Sequence, residues 1–282
     1  MRHELRVSSP NARFQQWRSL LTNRSQRRRY QEFLVQGVRP VTLSVELGWP
    51  LHAVLYCSGR RLTKWAHGLL EEARAPRFTV APELMAELGG KPGPPPEVLV
   101  VAEMPPDDLA RVPAQGDMLV VVLDRPGAPG NIGTVVRSAD AFGASGVVTA
   151  GHSADPYDPK AVRASTGSLF AVPVVRVPGQ QDVMAWVGTL HRSGISVRVI
   201  GTDEEGDVDI DEVDWHRPTV VVVGNESRGL SSRWRGACER VARIPMDGAA
   251  SSLNASLATT VVLYEAALQR RRVDRPPPAS LR

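Results

Sequence analysis

Between residues 118 and 272 the chain alternates continuous apolar runs with amphipathic stretches, a rhythm that few folds accept. Residues 118–123, 147–150, 172–177, 197–202 and 220–224 read as strands with little polar interruption. Strands of that kind are buried on both faces, as in a parallel sheet covered by helices. Helices are predicted at 131–142, 159–168 and 182–192, the last with Val183, Trp186, Val187 and Leu190 along one side. A long final helix is predicted at 254–272, where Leu257, Val261, Tyr264 and Leu268 repeat at helical spacing and Arg270 to Arg272 complement the C-terminal dipole. The fold class expected is therefore α/β, with a parallel-sheet domain over 118–272.

Residues 11–104 read as a smaller α/β domain. A helix is expected at 11–23, with Phe14, Trp17, Leu20 and Leu21 on one face. A basic turn at 24–30 follows, then short strands at 54–57 and 78–81 and a strongly apolar strand at 97–104. The three prolines of 105–117 mark the expected linker, and 1–10 and 273–282 read as disordered tails.

Composition removes several classes of function. No window approaches 18 uninterrupted apolar residues, so no membrane span is expected, and the arginine-rich beginning lacks the apolar core of a secretory signal. Two cysteines far apart, Cys57 and Cys238, argue against a disulfide framework or a cysteine zinc site and fit a reducing cytoplasm. The six histidines show no ligand spacing, so no metal is expected. The run from Asp203 to Asp214 holds eight acids in twelve residues, but Glu212 stands where a calcium loop needs glycine, and a solvated acidic loop is the expectation. Dinucleotide, P-loop, nucleophile-elbow and metalloprotease motifs are all missing.

Charge is unevenly spread. Residues 1–40 hold nine arginines against two acids, a net of +7 in a protein whose formal total is +4. A basic end on a near-neutral body suits a polyanionic partner. Arginine offers a planar fork that suits phosphates and stacks on bases, so Arg13, Arg24, Arg27, Arg28, Arg29 and Tyr30 are the candidates to contact such a partner, with Trp17 beside them.

Three polar segments each follow a predicted strand, where ligands bind in open parallel sheets. The first runs from Leu123 to Arg137 and contains Asn131, a candidate helix cap, and Arg137, nearly two turns further on and expected near the same face. The second is Gly224-Asn-Glu-Ser-Arg-Gly229. The third is Ile244-Pro-Met246, followed by Ser252-Leu-Asn-Ala-Ser256. Taken singly, each is an ordinary ion-pair, turn or cap sequence; together they could wrap a nucleoside.

In this order the three segments resemble the motifs of the SpoU/TrmH-type (SPOUT) RNA ribose 2′-O-methyltransferases. The resemblance is continuous over 118–272. It extends through 11–17, 32–35, 37–40 and 155–160 to members that act on 23S rRNA in antibiotic resistance. It implies a C-terminal deep trefoil knot, a homodimer with its active site near the interface, an N-terminal RNA-binding domain at 11–104, and S-adenosylmethionine as cofactor. Carried over by motif position, Gly224, Ile244 and Leu253 would hold the cofactor, with Thr202, Met246 and Ser252 as further candidates. Arg137, Asn131, Glu226 and Asn254 would form the reactive site. The implied reaction moves a methyl group to a ribose 2′-hydroxyl of 23S rRNA, on a uridine. The family often makes the arginine a general base, but a guanidinium stays protonated in proteins; Arg137 is better suited to gripping a phosphate and stabilising the developing alkoxide. A tRNA target and a catalytically silent RNA-binding module are the alternatives, and the intact reactive positions argue against the second.

Overall fold

The computed structural model describes residues 5–90, 92–249 and 252–273, and the chain divides into two compact units. One takes the chain up to Pro106 together with Asp155–Ala171; the other takes Asp107–Ala154 and the chain from Val172 onward.

The first unit runs β1 (Leu5–Val7), α1 (Ala12–Thr22), α2 (Arg24–Tyr30), β2 (Glu32–Val35), α3 (Val38–Glu46), β3 (Leu51–Cys57), α4 (Lys64–Glu72), β4 (Arg77–Val80), α5 (Pro82–Gly89) and β5 (Val98–Glu103). Its sheet has the order β1-β4-β3-β5-β2, with β4 parallel to both β1 and β3, and β5 antiparallel to both β3 and β2. Asn11 caps α1, its side-chain oxygen accepting from the Phe14 N–H at 3.0 Å. Phe14, Trp17 and Leu20 then fall on the helix face that is buried with Leu55, Phe78 and Leu99. Trp17 meets Phe78 edge-on at 5.1 Å, so it is a core residue and not part of an RNA surface. Two expectations change here. Residues 24–30 form a helix capped by Asn23 instead of a turn, and 5–7 of the expected tail pair with β4 as a strand.

The second unit opens with β6 (Leu119–Asp124), α6 (Pro129–Ala141) and β7 (Gly146–Ala150). The chain next supplies α7 (Pro159–Ser165) to the first unit. It then continues the second with β8 (Val174–Val177), α8 (Gln180–Arg192), β9 (Arg198–Thr202), β10 (Val208–Asp209), β11 (Thr219–Val223), α9 (Ser232–Ala237), β12 (Arg240–Arg243) and α10 (Ala255–Val273). The seven strands lie in the order β10-β12-β9-β11-β6-β7-β8, all parallel. Val120, Val122, Val220 and Val222 are buried in one cluster with Val187, Leu190 and Trp234. Burial on both faces is why these strands read as unbroken apolar runs. Ile132, Val135 and Val136 of α6 and Val262, Leu263 and Ala266 of α10 are buried as well. The two helices approach closely enough for Ser138 and Thr260 to share a hydroxyl hydrogen bond of 2.7 Å.

Three boundary and surface expectations are corrected. The segment 155–171, expected in the catalytic domain, packs in the first unit, where Tyr157 lies 4.9 Å from Phe33. The expected linker is not loose: Asp107 pairs with Arg176 at 2.8 Å and Val112 is buried, so 107–117 belongs to the second unit. On α10 the residues Leu257, Val261 and Tyr264 face outward, and the helix buries its smaller side chains, such as Ser256 and Thr259, together with Val262 and Leu263. The acidic run is solvated as expected, with six of its eight acids exposed, and Arg235, Arg240 and Arg243 pair with Asp203, Asp207 and Asp209 at 3.1, 3.0 and 2.6 Å. Residues 274–282 of the expected C-terminal tail lie outside the described residues. No described helix is long and apolar enough to cross a membrane.

Candidate active site

The carboxyl ends of the neighbouring strands β12, β9 and β11 open on a cavity of about 580 Å³. That is the size of an ordinary cofactor pocket. One wall is the turn 224–230 that leaves β11; another is made by Ile244, Met246, Ser252, Leu253, Ala255 and Ala258, the last two on α10. All six predicted cofactor residues line it: Thr202, Gly224, Ile244, Met246, Ser252 and Leu253.

The turn has a steric reason for its glycines. Asn225 and Gly229 pair as an isolated antiparallel bridge, so the chain doubles back within five residues. A Cβ on Gly224 would stand 2.3 Å from the Gly229 carbonyl carbon and 2.4 Å from the Leu230 nitrogen, which no side chain tolerates. Gly229 itself sits at φ +62°, in the left-handed region. Ser227 donates to Asn225 Oδ1 through both its N–H and its hydroxyl, and Asn225 Nδ2 donates to the Arg125 carbonyl at 2.7 Å. The turn is thus tied to the end of β6.

Three of the four predicted reactive residues meet. Asn131 Nδ2 donates to Glu226 Oε1 at 3.1 Å, and Asn254 Nδ2 reaches Asn131 Oδ1 at 3.5 Å. The Gly127 N–H donates to Glu226 Oε2 at 3.2 Å. Partial burial pushes the Glu226 carboxyl up, but hydrogen bonds from its own backbone, Asn131, Gly127 and Ala128 outweigh that and hold it below the usual glutamate value. Glu226 is therefore an ionised acceptor. Asn131 does not cap α6, which starts from Ala128 with Pro129 in its first turn. Its side chain is spent on Glu226 instead. Asn254 does the capping at the other helix, accepting from the Ser256 N–H at 2.9 Å and the Ser256 hydroxyl at 2.7 Å.

Arg137 is not brought to this cluster. Six residues along a helix turn the side chain by about 600°, roughly 120° away from Asn131. It stands exposed on α6, and among the described residues no hydrogen bond joins it to Asn131, Glu226 or Asn254.

The RNA candidates also separate. Arg27 is buried at 2% exposure: its Nε donates to Asp155 Oδ2 at 2.8 Å and its Nη1 to the Leu20 carbonyl at 2.6 Å, so it holds the first unit together and is withdrawn from the RNA surface. Arg24 is half-buried. Arg28 and Arg29 are exposed, with the Arg29 guanidinium 5.8 Å from the Tyr30 ring centre. Arg13 is exposed, its guanidinium 5.1 Å from the Phe78 ring centre.

Sequence reasoning missed Asp203, Arg228 and Arg235, which also line the cavity. For Asp203 the only signal was its place one residue past a strand end, lost inside the acidic run.

The SpoU rRNA methylase family model matches residues 118–264, and the SpoU L30e-like domain matches residues 11–100. The chain belongs to the SpoU rRNA methylase family. It is 54% identical, over 94% of its own length and 92% of the relative's, to the 23S rRNA (uridine(2479)-2′-O)-methyltransferase of Streptomyces viridochromogenes. The crystal structure of the SpoU methyltransferase AviRb from that organism, in complex with AdoMet, superposes with a TM-score of 0.89. It is 52% identical and covers 95% of this chain and 100% of that one. The AdoMet-bound rRNA methyltransferase of Sinorhizobium meliloti follows at TM-score 0.82 and 29% identity, covering 96% of this chain and 98% of that one. The fold expected from the motifs is that of the SpoU family.

Proposed function

We propose that this SpoU-family chain transfers a methyl group from S-adenosylmethionine to the ribose 2′-hydroxyl of a uridine in 23S rRNA, in the setting of resistance to a ribosome-targeting antibiotic. The observation that carries the reading is that the likeness to the Streptomyces viridochromogenes enzyme runs through both units of the chain, the RNA-recognition unit as well as the catalytic one.

The cavity suits the cofactor. Exposed apolar side chains, Met246 and Leu253, stand at a pocket whose polar wall sets Asp203, Glu204, Glu205 and Glu226 against Arg228 and Arg235, a net negative lining that suits a ligand with an apolar face and a positive charge. Gly224, Ile244 and Leu253 would hold it largely through backbone groups, with Thr202, Met246 and Ser252 completing the wall. When bound, the cofactor supplies an already activated methyl on a sulfonium. The protein then has to align the ribose oxygen with that methyl and remove one proton.

Glu226 is a weak acceptor for that proton, since it is held ionised with both oxygens engaged by donors. Its task is to brace the start of α6 through Gly127 and Asn131, and the proton leaves through the target phosphate or water. Arg137, turned away from this cluster within its own chain, grips that phosphate and stabilises the developing alkoxide at a site that a second copy completes. The protein acts as a homodimer. The exposed stripe Leu257, Val261 and Tyr264 on α10, with Phe142 packed edge-on to Tyr264 at 5.8 Å, is the face that a second copy would cover, next to the helix carrying Arg137. Arg13, Arg24, Arg28, Arg29 and Tyr30 contact the RNA.

The test is transfer of labelled methyl from S-adenosylmethionine to separated 23S rRNA, 16S rRNA and tRNA from an unmodified host, followed by nuclease digestion. Label on a ribose of 23S rRNA alone is expected; label in tRNA alone refutes the proposed target.

A further inference from the structure

Asp203 stands just past β9, and its carboxylate meets the cavity wall at two further places. Oδ2 accepts from the Leu230 N–H, the last link of the 224–230 turn, at 3.2 Å. Oδ1 lies 3.1 Å from Arg235 Nη2 on α9, and also accepts from the Glu205 N–H at 3.1 Å. The Asp203 N–H in turn donates to the Ala242 carbonyl of β12 at 3.1 Å. One residue thus joins the ends of β9, β11 and β12 into a single rim, the link to β12 through its backbone N–H and the others through a side chain 12% exposed, and Leu230, Arg235 and Ala242 all line the cavity. The turn it holds is sterically tight, since a Cβ on Gly229 would already come within 3.3 Å of Asp203 Oδ2.

We propose that Asp203 is a positioning residue for cofactor binding: its carboxylate fastens the 224–230 turn to the strand β9 and thereby sets the shape of the cavity. The proposal rests on the reading that this cavity holds S-adenosylmethionine. A hydrogen bond to a charged acceptor is worth more than a neutral one, and releasing the Leu230 N–H leaves the turn held by hydrogen bonds at its other end, through Asn225 and Glu226.

The experiment titrates S-adenosylhomocysteine into the full-length chain and its variants by calorimetry, with steady-state kinetics on 23S rRNA and a melting curve for each. Asp203→Ala is expected to weaken binding roughly tenfold or more. Asp203→Asn, which keeps an acceptor oxygen, is expected to lose less, and Arg235→Gln less than about threefold, because that pair is half open to solvent. KM for the cofactor rises while KM for RNA and kcat hold. Wild-type affinity in Asp203→Ala overturns the proposal. So does a variant in which melting temperature and kcat fall together while KM for the cofactor stays in place, as a merely structural aspartate would give. If Asp203→Ala does not fold, Asp203→Asn decides: unchanged affinity overturns the proposal, weakened affinity at an unchanged melting temperature supports it. Failure of the underlying reading looks different. In that case Gly224→Ala binds S-adenosylhomocysteine as the wild type does, and the Asp203 proposal falls with it.

Discussion

Arg27 and Asp155, 128 residues apart in sequence, form a buried ion pair of 2.8 Å in which the arginine side chain is 2% exposed and the aspartate 4%. Asp158 approaches the same guanidinium at 3.5 Å, and the Leu20 carbonyl takes a further N–H. Removing one partner of such a pair strands the other in a low-dielectric interior. Arg27→Ala is expected to cost about 3–5 kcal/mol of stability, and Arg27→Met less. Urea denaturation of the full chain checks both.

The neighbouring arginines should behave in the opposite way. Arg28 and Arg29 are exposed on the same short helix. Their replacement by alanine is expected to leave stability within about 0.5 kcal/mol. It should also reduce the salt dependence of RNA binding, by roughly one unit of log–log slope for each RNA phosphate that is no longer neutralised. An unchanged slope in the double variant would remove this patch from the RNA surface.

Gly224→Ala is expected to weaken S-adenosylhomocysteine binding by about fivefold or more, because relieving an overpacked site costs about 1–3 kcal/mol and the clash falls on the turn that walls the cavity. Calorimetric titration reads the loss, and far-ultraviolet circular dichroism should report an unchanged fold.

Arg137→Ala and Arg137→Lys are both expected to lose most turnover while cofactor affinity survives, since Arg137 does not line the cavity. A parallel collapse of affinity for S-adenosylhomocysteine would contradict the role given to it. The lysine variant matters because an ammonium cannot reproduce the planar fork that grips a phosphate.

Two groups carry pH dependence of opposite sign. The folded-state pKa of Glu226 lies below the ordinary 4.5, so its contribution to stability is fully present above that value and is lost as pH falls through the folded pKa. Glu226→Gln should flatten the acid limb of the stability curve. For His52, partial burial pushes the pKa down, but hydrogen bonds to Glu32 at 2.7 Å and Glu103 at 3.4 Å more than reverse it, leaving the value above 6.5. Its contribution is fully present below pH 6.5 and is lost as pH rises through the folded pKa. Proton NMR of the imidazole should give a midpoint above 6.5, falling in Glu32→Gln.

The parallel sheet and the three motif loops were readable in the residue string because both are local. An apolar run such as 219–223 reports its own burial, and Gly224, Asn225 and Glu226 follow it whatever the rest of the chain does. The cavity wall is equally local, being built from short stretches at strand ends. Side-chain fate is different. Arg27 sits among arginines that look alike in sequence, and only Asp155, brought in by a segment from beyond β7, withdraws it from solvent. Asn131 has the composition of a helix cap, yet a glutamate 95 residues later claims its amide. Leu257, Val261 and Tyr264 have the spacing of a core face, but α10 buries its smaller side chains along with Val262 and Leu263. Asp203 was one acid among eight until Leu230 and Arg235 were found against it. Periodicity and turn chemistry act over a few residues and are written in the order of the chain. Long-range pairing of charges and the choice of which apolar face is covered depend on segments distant in sequence, and so appear only once the chain has folded.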